Sequence, residues 1–178
     1  MLVATAILAV ALQLMAETET VNGIEWTYTV ANGVASVGVG SSSSPAVPKS
    51  TSGTITIPSS LGGYPVTSIR FAAFSGCNDI TRVTIPATVT RIDAGAFAGC
   101  VNLELIAVSS GNQTYKIGFN LLLTIDGKDL VAVPGASTSV TIPDDVLNIG
   151  GYAFYKCRGL KSVTIPNGVT SIGKWAVA

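Results

Sequence analysis

A 23-residue repeat constrains this sequence more than any other feature. The segment Val66-Thr-Ser-Ile69 recurs as Val89-Thr-Arg-Ile92, and Val146-Leu-Asn-Ile149 recurs as Val169-Thr-Ser-Ile172, each time 23 residues later. Self-similarity at a fixed period of this length is the signature of a solenoid, in which each unit folds as one coil and stacks on the next. The repeat therefore predicts stacked coils that cover one another's apolar flanks.

Each repeat has a strand half and a return half. In one copy the strand half is Val83-Thr-Ile-Pro86, where aliphatic residues alternate with threonine as in a half-buried strand. Pro86 has no N–H to donate, so the parallel ladder is expected to stop there. The return half carries apolar residues that we expect to point inward: Val89, Ile92, Ala96 and Phe97. Stacked strands of this kind form a ribbon of parallel sheet.

The full repeat has a recognisable pattern. One copy reads Ile80-x-x-Val83-x-Ile85-Pro86-x-x-Val89-x-x-Ile92-x-x-x-Ala96-Phe97-x-x-Cys100. This unit resembles the BspA-type leucine-rich repeat of bacterial surface antigens, and the resemblance covers about residues 51–178. It implies a mainly β leucine-rich-repeat solenoid in a secreted or cell-surface protein. Members share the scaffold and differ in what they bind, so the resemblance does not imply a particular ligand.

The N-terminal part departs from the repeat. Residues 22–40 contain two alternating runs around Asn32-Gly33, the strongest short-range signal for a hairpin. We expect this β-hairpin to cap the first coil, with Trp26 and Tyr28 covering the apolar end. Residues 41–52 are rich in Ser and Pro and are expected to form a loop.

A second departure interrupts the solenoid itself. Residues 112–134 replace the return half of one coil, and Asp126-Gly127 predicts an inserted hairpin with a tight turn. Four aspartates resemble a calcium loop in composition, two within this segment and two shortly after it: Asp126, Asp129, Asp144 and Asp145. Their spacing does not match an EF-hand, and Asp-Gly is ordinary turn chemistry, so we expect no metal site.

The N-terminus resembles an export signal. Residues 2–16 are almost entirely apolar, and as a helix they would extend about 22 Å, short of the roughly 30 Å of a bilayer core. The small residue Ala16 precedes Glu17, as at a signal-peptide cleavage site, although the first basic residue is Lys49. The alternative is a buried apolar segment of the fold. The expected organisation is a signal peptide at 1–16, a hairpin cap and loop at 17–50, and a solenoid at 51–178 that contains an island at 112–134. We expect no membrane span in the mature chain.

The three cysteines occupy one repeat position: Cys77, Cys100 and Cys157. An exported chain invites a disulfide interpretation. However, parallel stacking directs Cys77 and Cys100 inward together, and Cys157 lies two coils beyond Cys100, about 10 Å away by the strand spacing. We therefore expect small buried hydrophobic residues in a core column. A metal site is not expected here, because equivalent residues on a stack do not surround an ion.

Composition narrows the chemistry further. The chain has no histidine, which removes the commonest general base and the commonest transition-metal ligand. Its net charge is zero and only 11% of its residues are charged, so no basic stripe for nucleic acid is present. We find no nucleophile beside a base, and we expect no catalytic residue and no cofactor. Spacing alone does not decide against a glycosidase-like carboxylate pair, which leaves a secreted enzyme as a third alternative.

The remaining candidate site is the outward face of the strand ribbon. Its central positions are mostly threonine, and the charged residues beside them vary between coils. A threonine row also follows from β-propensity on a solvated sheet, whereas solenoids usually bind along their strand face. The candidate partner-contact residues are Thr56, Arg82, Thr84, Glu104, Thr141, Lys161 and Thr164.

The sequence therefore predicts an exported or cell-surface, non-catalytic module for protein binding or adhesion, with a protein or glycan partner. The alternative is a structural spacer within a larger surface protein. No polar cap is visible after Trp175. Three interpretations follow: Trp175 caps the last coil itself, the repeat array is longer, or self-association covers this end.

Overall fold

The computed structural model describes residues 15–177, and all regular secondary structure in this part of the chain is β-strand. None of the described residues belongs to a helix that could cross a membrane. The predicted signal peptide falls mainly on residues 1–14, outside the described part, and stays a prediction. The strands are β1 (Ala16–Val21), β2 (Ile24–Ala31), β3 (Val34–Val37), β4 (Gly53–Thr56), β5 (Ser60–Leu61), β6 (Tyr64–Ile69), β7 (Ile80–Ile85), β8 (Arg91–Ile92), β9 (Leu105–Val108), β10 (Tyr115–Gly118), β11 (Leu121–Thr124), β12 (Asp129–Ala132), β13 (Ser139–Thr141), β14 (Asn148–Ile149), β15 (Ser162–Thr164) and β16 (Ser171–Ile172).

The chain is a solenoid of about five stacked coils, as the repeat predicts. The Val-Thr-Ile segments form the strand ribbon, in which β4, β7 and β9 pair in parallel and β13 pairs in parallel with β15. A second parallel ribbon runs along another side of the coils, through β3, β6 and β8 and then through β12, β14 and β16. The sequence did not predict this second ribbon, because strands as short as Arg91–Ile92 are too short to show an alternating pattern.

The return halves stack through main-chain hydrogen bonds. The Phe74 N–H donates to the Ala96 carbonyl at 2.9 Å, and the Phe154 N–H donates to the Ala176 carbonyl at 2.8 Å. The rings of Phe74 and Phe97 are parallel, with centroids 5.4 Å apart. The Ala-Phe pairs of successive coils therefore stack on one another in the core. The main-chain N–H and C=O groups of each coil form hydrogen bonds with those of its neighbour.

An antiparallel sheet caps the first coil. Strands β1, β2 and β3 are joined by turns at Asn22-Gly23 and Asn32-Gly33, whose residues all have positive φ. Strand β3 then pairs in parallel with β6 and so joins the cap to the second ribbon. Trp26 and Tyr28 are buried, and the Trp26 ring meets Phe74 edge to face. The predicted hairpin cap is confirmed, and the unpredicted strand β1 widens it.

The inserted segment divides the solenoid into two cores. Strand β11 pairs antiparallel with β10 on one side and with β12 on the other, while β12 continues in parallel to β14. Leu122 packs into the N-terminal core, whereas Leu121 and Leu123 pack into the C-terminal core. The predicted hairpin is β11–β12, and β10 adds a third strand. Since successive side chains of a strand point to opposite faces, one buried strand separates the two clusters.

Candidate functional site

The structure places the predicted threonines on the outward face of the strand ribbon, in two rows. Thr56 on β4 and Thr84 on β7 are in register with Ala107 on β9. Thr141 on β13 is in register with Thr164 on β15. Thr84 is half-buried and the other three threonines are exposed. The rows do not form one continuous ladder, because β9 pairs only with β7 and β13 only with β15.

The predicted charged residues flank these rows and are exposed. Arg82 lies on β7, Glu104 directly precedes β9, and Lys161 directly precedes β15. The main chain at two of them is hydrogen-bonded to the preceding coil. The Glu104 N–H donates to the Thr81 carbonyl, and the Lys161 N–H donates to the Thr138 carbonyl. Among the described residues the ion pairs are Arg91–Asp93 and Lys128–Asp145. The three predicted side chains are therefore available for contact with a partner.

A polar cleft separates the two rows. It has a volume of about 270 Å³ and is lined by Glu104, Asn120, Ala136, Ser137, Thr138 and Ser139. At one end the Ala136 N–H donates to the Leu103 carbonyl at 3.0 Å, and on its wall Asn120 Nδ2 donates to the Glu104 carbonyl at 3.2 Å. Of the lining residues only Glu104 was predicted. We call the two rows together with this cleft the strand face.

The turn beside the cleft has an unusual conformation. Phe119 and Asn120 join β10 to β11 with φ values of 55° and 60°, and the Phe119 side chain is 78% exposed. Asn tolerates the left-handed region, but a bulky residue there is a strained outlier, and such strain concentrates at functional positions. Sequence reasoning missed this turn. The only sequence signal near it was the interruption of the repeat at residues 112–134, which shows that the chain departs from the regular coil there.

The remaining candidate groups have local structural contacts. Asp126 accepts hydrogen bonds from the Thr124 hydroxyl at 2.7 Å and the Lys128 N–H at 3.0 Å, and these bonds lower the pKa of its carboxyl. Asp129 accepts a hydrogen bond from Asn148 at 2.6 Å. No group of three or more potential ligands within residues 15–177 is arranged to hold a metal ion. These aspartates therefore act as turn and ladder residues.

The three cysteines are free thiols. Cys77 and Cys100 are buried, and the Cys100 thiol donates to the Phe74 carbonyl at 3.0 Å. Cys157 is only partly buried, unlike the other two, so the predicted column of buried thiols holds for Cys77 and Cys100. Burial raises the pKa of Cys77 to about 11, against a smaller opposing effect of the Lys49 charge, and it raises the pKa of Cys157 to about 11. Burial also raises the pKa of Cys100. At neutral pH the thiols are protonated and are weak nucleophiles.

Comparison with known proteins agrees with this architecture. The family model of the BspA type leucine rich repeat region matches six copies, over residues 49–122 and 135–178. The unmatched residues 123–134 belong to the inserted segment. No protein of curated function matches the chain.

Two solved structures are similar. A leucine-rich repeat protein from Eubacterium ventriosum has 32% identity and a TM-score of 0.62, over 70% of this chain and 32% of that one. A leucine rich cell surface protein from Faecalibacterium prausnitzii has 30% identity and a TM-score of 0.51, over 68% of this chain and 37% of that one. The chain thus spans about a third of the length of these relatives. It belongs to the family of BspA-type leucine-rich repeat proteins.

Proposed function

We propose that this chain is an exported or cell-surface adhesion module that binds a partner protein through its strand face and performs no chemistry. The observation that carries the proposal is the polar cleft between the two outward threonine rows, with the exposed Phe119 next in sequence to the lining residue Asn120. Aromatic side chains around a polar pocket are typical of binding surfaces. The family membership and the cell-surface description of the Faecalibacterium relative support this location.

The side chains that could act as nucleophiles or bases support the proposal that the chain performs no chemistry. The sequence has no histidine, and burial keeps its thiols protonated. The residues adjacent in sequence to the threonines of the two rows are all Val or Ile, so none of them can act as a base. A secreted enzyme, the remaining alternative, would need a turnover activity that is lost when one particular carboxylate is replaced.

The test changes the strand face without touching the core. Beads coated with the protein would be applied to surfaces that carry extracellular-matrix proteins or mucin, and the variant Thr84→Arg/Thr141→Arg would be compared with the parent. We expect the parent to adhere and the variant to lose most of its adhesion, because each arginine blocks one row. Thr18→Arg, at an exposed strand threonine in the cap, is the matched control. Adhesion of the double variant at the level of this control would contradict the proposal.

Cellular location needs a separate measurement. The intact mass of the native protein would be determined in culture medium and in the cell envelope. Loss of about the first 16 residues would establish export through the signal peptide expected at 1–16. An uncut chain found only in the cytosol would contradict it.

The second candidate function is a spacer within a larger surface protein. It is favoured by the length of the relatives and by the exposed apolar side chains of the last coil, which are suited to stacking against another coil. A spacer tolerates the arginine substitutions and adheres to nothing by itself. The bead experiment therefore distinguishes the two functions.

A further inference from the structure

Three aromatic rings form a continuous track on the side of the solenoid that carries the return halves. The Phe71 and Tyr152 rings meet edge to face with centroids 5.6 Å apart, and Tyr152 meets Tyr155 in the same way at 5.5 Å. All three side chains are partly exposed. The chain brings them together from coils about 80 residues apart in sequence, which is possible because the inserted segment displaces a return half between them.

The backbone is arranged to make room for these rings. A side chain on Gly95 would lie 3.1 Å from Phe71 and 3.2 Å from Tyr152, so both rings rest on this glycine. Tyr152 and Lys156 have φ values of 61° and 57°, in the left-handed region that bulky residues rarely adopt. Such strain persists only where the surrounding structure holds it, and it is common at ligand contacts.

A cationic groove continues the track beyond Tyr155. The groove has a volume of about 290 Å³, and its cations are Lys49, Lys156 and Arg158. Lys49 extends over the backbone of Gly76 and Lys156 over that of Gly99, each with a carbon 3.6 Å from where a Cβ would stand. Among the described residues that line the groove none is a carboxylate, and none of the three cations takes part in the ion pairs of that part of the chain.

Lys156 joins the two features. Its Nζ lies 5.3 Å from the centroid of the Tyr155 ring, and the residue also lines the groove. We propose that the ring track of Phe71, Tyr152 and Tyr155 together with the groove of Lys49, Lys156 and Arg158 binds an acidic polysaccharide. The apolar C–H face of a sugar ring packs against Tyr155, and its carboxylate or sulfate group accepts hydrogen bonds from Lys156 and Arg158.

The chemistry of the track favours an acidic glycan over other anions. Three cations in a chain of zero net charge are too few to follow a nucleic acid, whose binding requires an extended basic surface. An acidic peptide would use the cations but would have no need of the partly exposed rings. A glycan uses both, because every ring of its chain has an apolar face and the charges are spaced along it. The groove and the cleft of the strand face have no lining residue in common, and the glycan site does not depend on the adhesion proposed above.

Binding of the whole chain to four polymers tests the proposal. The probes are heparin as a sulfated glycan, polygalacturonate as a carboxylated glycan, neutral dextran, and polyglutamate as an acidic peptide. We expect binding to at least one acidic glycan, weakening with added salt, and no binding to dextran. The preferred glycan then shows whether the site takes sulfate or carboxylate. Failure of both acidic glycans to bind would overturn the proposal.

Two variants separate a defined site from general charge attraction. Lys156→Gln/Arg158→Gln should weaken glycan binding about tenfold or more, since two charge-assisted contacts are lost. Lys174→Gln is the matched control, because Lys174 also lies over an aromatic ring, with its Nζ 5.9 Å from the Trp175 centroid, but outside the groove. Tyr155→Leu keeps an apolar side chain and removes the stacking surface. It should weaken glycan binding several-fold, with thermal unfolding confirming that the variant is folded.

Two outcomes of the variant series would contradict the site. Equal binding of the double variant and the Lys174→Gln control would show that the groove is not used. Polyglutamate binding as tight as that of the glycan, unchanged by Tyr155→Leu, would assign the cations to an acidic peptide instead. Loss of glycan binding with normal bead adhesion of the same variants would support a second, independent binding surface.

Discussion

Asn112 shows how a single polar residue joins the inserted segment to the coils. It stands 23 residues after Val89, at a position where the repeat has an inward valine, and it is buried. Its Nδ2 donates to the carbonyls of Pro86 and Val89 at 3.0 and 2.9 Å. Its Oδ1 accepts from the N–H groups of Thr114 and Tyr115, both at 2.8 Å. All four hydrogen bonds that an amide can make are therefore formed.

Replacing this amide by a carboxyl group should be costly. Asn112→Asp loses both donors and places a negative charge against two carbonyl oxygens, so we expect the free energy of unfolding to fall by about 3 kcal/mol. Urea unfolding measures the change. Asn167→Asp, at an exposed loop asparagine, makes the same substitution without these partners and should change stability by less than about 0.5 kcal/mol. Similar values for the two variants would refute the role assigned to Asn112.

The cysteines give a second prediction at the residue scale. With the pKa of Cys77 and Cys157 raised from 9.0 to about 11, alkylation by iodoacetamide at pH 8 should be slow in the folded protein and rapid in urea. Cys157 should react first because it is partly exposed. The same shifts stabilise the fold fully below pH 9, and this contribution is lost as the pH rises through about 11. Peptide mass mapping follows each thiol, and native Cys100 reacting as fast as in urea would contradict the burial.

At the scale of elements, the inserted segment is held against the coil before it by a glycine. Gly135 lies where β12 leads back into the solenoid, and a Cβ there would overlap the Cys100 carbonyl oxygen. Since the obstacle is main chain, Gly135→Ala must push two coils apart, and we expect a loss of about 2–4 kcal/mol in unfolding free energy. Gly159 is a loop glycine whose nearest heavy atom to a Cβ is 3.7 Å away, so Gly159→Ala should be nearly neutral. Thermal or urea unfolding of both variants provides the comparison.

The elements also show which parts of the structure could be predicted from sequence. The strand ribbon, the cap and the β11–β12 hairpin were predictable because each has a local signal: alternation, Asn-Gly or Asp-Gly. The second ribbon was not, since its short strands form only where coils stack. The cleft and the aromatic track were not predictable either. Both depend on how the inserted segment displaces its neighbours, and residues such as Phe119 and Tyr152 show no local sequence signal of that displacement.

At the scale of the whole molecule, the two ends of the solenoid are unlike. The antiparallel cap of β1–β3 closes the first coil and buries Trp26 and Tyr28 within the N-terminal core. The last coil instead presents apolar side chains to solvent, among them Ile172 at 59% and Val177 at 75% exposure. Its strands β15 and β16 each pair on one side only, as do β1 and β4 at the other end, so the difference between the ends lies in the exposed apolar side chains. Exposed apolar surface beside an unpaired strand edge is a surface for association.

This difference predicts that a protein made of these 178 residues alone associates reversibly through the coil that carries β15 and β16. Since the cap buries its large apolar side chains Trp26 and Tyr28, we expect two copies to meet at the exposed apolar side chains of β15, β16 and the residues after them, which gives a closed dimer. Sedimentation velocity across a range of concentrations should show the parent passing from monomer to dimer. Ile165→Lys/Ile172→Lys should stay monomeric, because both residues are exposed on this coil. Thr18→Lys/Thr20→Lys, which adds the same charge to the cap, should behave as the parent does. A parent that stays monomeric, or a dimer that persists in the Ile165→Lys/Ile172→Lys variant, would rule out this interface.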